Sequence, residues 1–136
     1  MKFLIIFSLL FLQVFAVKKE VKPKVKAKPC EKFLETYYSQ KDLTKKPFVK
    51  INFKLSEFYP QKAKEKNIRS GETVVQVFID KTGTLTCSKI LKKSEGYGFD
   101  SAALKIIKKA NFKPGEINEK KVDSYAVFPV KFSLDE

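Results

Sequence analysis

Residues 59–91 read YPQKAKEKNIRSGETVVQVFIDKTGTLTCSKIL, residues 96–115 read GYGFDSAALKIIKKANFKPG, and residues 125–132 read YAVFPVKF. This spaced pattern decides the fold. Pro60 suits a first helical turn, where its missing N–H costs nothing. The helix it opens runs to about Ile68, with Ala63 and Ile68 inward, and Gly71 releases the chain. Glu72 to Asp80 is a strand: Thr73, Val75, Val77 and Ile79 face the core, while Val74, Gln76 and Phe78 face outward. That alternation makes Phe78 an exposed aromatic. Lys81-Thr82-Gly83 supplies a hairpin turn, with glycine at the positive φ. Asp80 beside it is a turn residue rather than a catalytic acid. Thr84 to Lys92 returns antiparallel. Leu85 and Ile90 sit at odd and even positions, so burying both requires the strand to bulge or twist.

Gly98 to Ala110 is the main helix. Phe99, Ala102, Ala103, Ile106, Ile107 and Ala110 form an apolar stripe suited to packing on a sheet. Phe112 plugs the core, and Pro114-Gly115 stops the chain's helical course. Val122 to Phe132 closes the sheet. Ser124, Ala126, Phe128, Val130 and Phe132 share one face, and Pro129, with no N–H to give, belongs at an edge with its backbone outward. The fold class is α+β: a small antiparallel sheet of three strands, residues 48–56 offering a fourth, with helices on one face.

The pattern resembles the TonB C-terminal domain family, which binds partners in the envelope of double-membraned bacteria. The positions that carry the resemblance are Tyr59-Pro60, Ala63, Gly71, Val75, Val77, Ile79, Asp80, Gly83, Gly98-Phe99-Asp100, Ala103-Leu104, Phe112-Lys113-Pro114-Gly115 and Pro129-Val130-Lys131-Phe132. It implies the order helix, strand, strand, helix, strand. It also implies that an extended peptide of an outer-membrane transporter docks beside the last strand. On that reading the outward backbone groups of Tyr125, Val127, Pro129 and Lys131 are the partner-binding edge. The alternative is an edge merely kept silent by proline and lysine.

The rest of the chain divides into a leader, a linker and an extension. Residues 1–16, MKFLIIFSLLFLQVFA, have a basic start, an apolar run and a Val14-Phe15-Ala16 cleavage site, the pattern of a signal peptide. The run is shorter than the about 20 residues of a membrane span, although retention as an anchor is the other reading. Residues 17–29 are a lysine–proline linker, extended and self-repelling. Residues 30–58 form an extension and 59–136 the domain. Within the extension, Glu31 to Gln40 predicts a short helix with Phe33, Leu34, Tyr37 and Tyr38 on one face. Phe48 to Ser56 alternates as a strand, with a helix as the other reading. That strand could cover the last strand's edge in cis, or swap between two chains to make a homodimer. Cys30 and Cys87 permit one disulfide in an oxidising compartment; otherwise Cys87 is a small core residue and Cys30 is free.

Composition narrows function. There is no histidine, no glycine-rich phosphate loop, no Gly-x-Ser-x-Gly and no Cys-x-x-Cys. No catalytic residue, cofactor or metal site is expected, and the protein reads as a non-enzyme. The chain has 28 basic and 15 acidic residues, a net charge of +13. Arg69 is the sole arginine, and lysine lacks the rigid fork that reads phosphate or guanine bidentately, so nucleic acid is not an expected partner. The leading reading is an exported periplasmic binding module that takes an envelope protein or a transporter peptide by strand addition. One rival is a membrane-anchored energy transducer with inner-membrane proton-channel partners, if the N-terminal segment is uncleaved. The other is a lysine-rich binder of polyanions or membrane surfaces.

Overall fold

The computed structural model describes residues 29–135; the leader and all but the last residue of the lysine–proline linker lie outside them. In chain order the elements are a 3₁₀ turn (Glu31–Phe33), β1 (Tyr38–Ser39), a second 3₁₀ turn (Gln40–Asp42), β2 (Phe48–Lys50), a third (Leu55–Phe58), α1 (Gln61–Glu65), β3 (Ser70–Ile79), β4 (Leu85–Lys92), α2 (Phe99–Lys109), β5 (Asn111–Lys113), β6 (Gly115–Ile117), β7 (Lys120–Val122) and β8 (Ser124–Ser133). The main sheet has the order β1-β8-β3-β4. β3 is its spine, antiparallel to both neighbours, while β1 joins β8 in parallel. No helix among the described residues is long and apolar enough to cross a membrane.

The alternation read from sequence sets the core. β3 and β8 pair from Ser70↔Ser133 to Ile79↔Ser124, so Thr73, Val75, Val77 and Ile79 share a face with Val130, Phe128, Ala126 and Ser124. α2 buries Phe99, Ala102, Ala103, Ile106 and Ile107 on that face, and α1 adds Ala63. The expected bulge is present, and there are two. β4 slips register between Phe78 and Ile79 and again between Val74 and Val75, which sets Leu85 opposite Ile79 and Ile90 opposite Val75. The slip between Phe78 and Ile79 therefore puts both on the core-facing side of the sheet despite their opposite parity, and Leu85 packs against the core.

The β3–β4 turn is built on Asp80. Its Oδ1 accepts from the Thr82 N–H at 2.9 Å, the Thr84 N–H at 3.0 Å and the Thr82 hydroxyl at 2.5 Å. The Gly83 N–H donates to the Asp80 carbonyl at 2.9 Å, and Gly83 takes φ 86°. This is a turn followed by a left-handed glycine, which suits a three-residue hairpin loop. At the other end of the sheet, Asp100 accepts from the Ser94 N–H at 2.8 Å and the Thr73 hydroxyl at 2.9 Å.

These bonds make stability pH-dependent. The Thr82 hydroxyl and the turn amides hold Asp80 below its ordinary 3.8, against some desolvation. Burial works against charge on Asp100, but the Ser94 N–H and Thr73 hydroxyl outweigh it and hold that carboxyl below 3.8 as well. A depressed folded-state pKa stabilises above the unfolded value and is lost as pH falls through the folded one. Urea midpoints are therefore expected to stay level between neutral pH and about 5, then fall below about 4. The double variant Asp80→Asn, Asp100→Asn should be weaker at neutral pH and show a shallower acid fall.

Several expectations are corrected. Glu31 to Gln40 is not a helix on one face: a 3₁₀ turn ends at Phe33 and the chain is extended at Tyr38–Ser39. Leu34 and Tyr38 stay 41% and 50% exposed, whereas Phe33 and Tyr37 turn onto Phe78, with ring centroids 5.7 and 6.1 Å away. Phe78 does face away from the helices, but it is fully buried, because this extension covers the second face of the sheet. The fourth strand comes from Tyr38–Ser39, not from residues 48–56. Phe48–Lys50 instead pairs antiparallel with β5, Phe48 opposite Lys113. It therefore does not cover the last strand, whose outer edge β1 has already joined.

The extension is fastened along its length. Cys30 is bonded to Cys87, with Cα atoms 5.6 Å apart. The Thr44 and Lys45 N–H groups both donate to the Glu116 carbonyl, at 2.9 and 3.1 Å. Leu43 presses on Gly115, where a Cβ would lie 2.5 Å from its Cδ1. The small β6–β7 hairpin that receives them turns through Asn118 and Glu119, both at positive φ.

Candidate protein-docking edge

An open sheet edge is a row of unpaired backbone groups, so the first question is which way each residue of β8 turns its amide. The Tyr38 N–H donates to the Asp123 carbonyl at 3.0 Å, and the Val127 N–H donates to Gln40 Oε1 at 3.1 Å. Odd-numbered positions thus turn their backbone away from β3. By alternation along the strand, Tyr125, Pro129 and Lys131 do the same. Val74 opposes Pro129 on β3, and no ladder bond is lost there, since proline's missing N–H falls on the outer side.

β8 is not a free margin throughout. β1 pairs with it at Ser124 and Tyr125, and Gln40 takes the Val127 amide. Of the residues expected at the edge, Tyr125 and Val127 are covered, with the Tyr125 ring 5.4 Å from Phe78. Pro129 and Lys131 are exposed. No described strand pairs with β8 on that side beyond Tyr125.

Beside this open half lies a groove of about 480 Å³, lined by Lys54, Leu55, Ser56, Tyr59, Lys131, Phe132 and Ser133. Its size falls in the range of about 300–1,000 Å³ seen for ligand sites. The floor is rigid. Tyr59 and Phe132 are buried and pack edge-on at 6.3 Å. Burial raises the Tyr59 phenol above its ordinary 10.0, aided by the nearby Asp135 charge. It stays neutral and donates to the Ile68 carbonyl at 2.5 Å. Lys131 reaches across to Glu72 at 4.0 Å, an exposed pair worth little energetically.

The opposite margin of the sheet is β4. Its two register slips and its Lys89 and Lys92 break the regular row of edge groups, which is how natural sheets silence an edge. The open half of β8 is the straighter template, since its ten pairs with β3 run without a slip.

Sequence reasoning missed Tyr38, Ser39 and Gln40, which close the first half of the edge; Lys54 to Ser56, which wall the groove, belong to the segment 48–56 that it set beside the last strand, though as a paired strand. A two-residue strand has no period to detect. The cysteine pair was the one available signal that this extension lies on the sheet.

A helix-backed sheet with one half-open edge leaves a row of backbone donors and acceptors uncovered on one side of the molecule. The model of the Gram-negative bacterial TonB protein C-terminal family matches residues 56–134, and this chain belongs to that family. A search of curated proteins finds no match. Domains of this family are non-catalytic, act in the Gram-negative envelope, and interact with outer-membrane transporters or other envelope proteins. The chain is accordingly a TonB-like envelope protein-binding module. Cys30, β1, Gln40 and β2 all precede the matched region.

Proposed function

We propose that this module binds an extended segment of an envelope protein, such as an outer-membrane transporter, as an added strand on the outer edge of β8. The observation that carries the reading is the outward backbone of Pro129 and Lys131, paired with no described strand, beside a groove with a buried aromatic floor. Tyr125 and Val127 belong to the same edge but are already occupied, so Pro129 and Lys131 make the contact. The module acts in the periplasm, exported by its leader and free of any cofactor. Main-chain bonds supply affinity and the groove supplies selection.

The test places a photoreactive residue at Lys54, across the groove, in cells expressing the full chain. An adduct with an envelope protein is expected from this position and not from Lys89 on β4. Lys131→Pro removes the outward amide without touching the β3 ladder, and should cut adduct yield about tenfold. Lys131→Ala keeps the amide and should change it less than about twofold. Equal yields from Lys54 and Lys89, or no effect of proline at 131, would count against docking at this edge.

A further inference from the structure

We infer that the disulfide-held extension is a stop that limits how long a strand β8 accepts and in which register, with Gln40 as the positioning residue. This rests on the docking reading above. Gln40 Oε1 sits where the carbonyl of an added strand would sit, and it occupies the Val127 amide at 3.1 Å. One residue earlier, β1 pairs Ser39 with Tyr125. A guest strand advancing along the edge from Ser133 meets a side-chain amide at Val127 and a paired strand beyond it.

The stop is not easily pushed aside. A two-residue strand has little stability of its own, so something else must hold it. On one side the Cys30–Cys87 bond ties the segment to β4, and Phe33 and Tyr37 seat it on the fully buried Phe78. On the other side Thr44 and Lys45 are bonded to Glu116. Displacing β1 would expose Phe78 while both ends stayed attached.

What remains open is uneven in chemistry. Between Phe128 and Ser133 the outward carbonyls of Pro129, Lys131 and Ser133 are available, but Pro129 has no amide, leaving the amides of Lys131 and Ser133. The edge asks for donors. A guest therefore needs unblocked amides opposite these carbonyls and cannot carry proline there, whereas its own carbonyls are less used. Its paired length is that of residues 128–133, roughly 20 Å at 3.3 Å per residue.

The probe is a series of capped alternating Val-Thr peptides of four, six and ten residues, titrated into the full chain and read by amide NMR. In the wild type, contacts should stop at Phe128, and lengthening from six to ten residues should change Kd less than about twofold. Gln40→Ala frees the Val127 amide, so the ten-residue peptide should gain about fivefold over the six-residue one. Gln40→Glu still presents an acceptor and should restore the wild-type limit. Wild-type contacts that reach Tyr125, or loss of protection at the Tyr38 amide on binding, would overturn the stop while leaving docking intact. Failure of every peptide to bind any variant would overturn the docking reading, and the stop with it.

Discussion

Replacing Cys30 and Cys87 by serine is expected to lower stability by about 4 kcal/mol, because the bond closes a loop with a sequence separation of 57. Without the bond the unfolded chain regains the freedom that this loop denied it, and the cost of ordering the extension rises. The folded state also has little else to hold residues 29–37. That stretch has a single 3₁₀ turn, and its packing is centred on Phe33 and Tyr37 against Phe78. Urea unfolding of the oxidised chain against the serine pair should show the midpoint fall. The slope should steepen, since a more expanded unfolded state exposes more surface. Amide exchange gives a second readout: Tyr38 and Val127 should lose protection before the β3–β8 ladder does. An unchanged midpoint would mean that aromatic packing and backbone bonds hold the extension without help from the disulfide.

Phe99→Ala is expected to cost about 3–5 kcal/mol, the usual range for deleting a buried phenyl ring. The ring packs at right angles on Tyr59 at 5.5 Å and tilted on Phe132 at 5.2 Å, and it joins the start of α2 to the sheet. Its room is made by Gly71, where a Cβ would lie 2.7 Å from the ring carbons. Gly71 is in β3 and needs no positive φ, so space rather than backbone freedom explains the glycine. Gly71→Ala alone should therefore destabilise by forcing the ring aside. In the Phe99→Ala background the same change should cost much less, with a coupling of about 0.5–3 kcal/mol. Additive effects in that double-mutant cycle would show that the glycine serves something other than the ring.

Much of the fold was legible because it is written in periodic runs. The odd positions of β3 and the even positions of β8 did share a face, and the α2 stripe did meet them. Leu85 and Ile90 pointed to a bulge or twist in β4, and a slip does lie between them; the second slip, beyond Ile90, left no such sign. Phe78 shows where periodicity stops. Alternation says that it points away from the helices, which is right, but not whether anything lies there. The β6–β7 hairpin was missed for a related reason: strands of three residues, with Asn118-Glu119 rather than a glycine pair at the turn, leave no pattern to find.

The same division runs through the outer edge of β8. Pro129 told by its chemistry alone which side of β8 must turn outward, because a missing N–H is tolerated only off the ladder. It could not tell how much of that side stays open. That depends on Gln40 meeting Val127 and on Ser39 meeting Tyr125, contacts between residues more than eighty positions apart. Local order is dictated by side-chain spacing along the chain, and so it can be read there. Which surfaces are left uncovered is dictated by long-range closure, in this chain through a disulfide and a few backbone bonds, and only the folded molecule displays it.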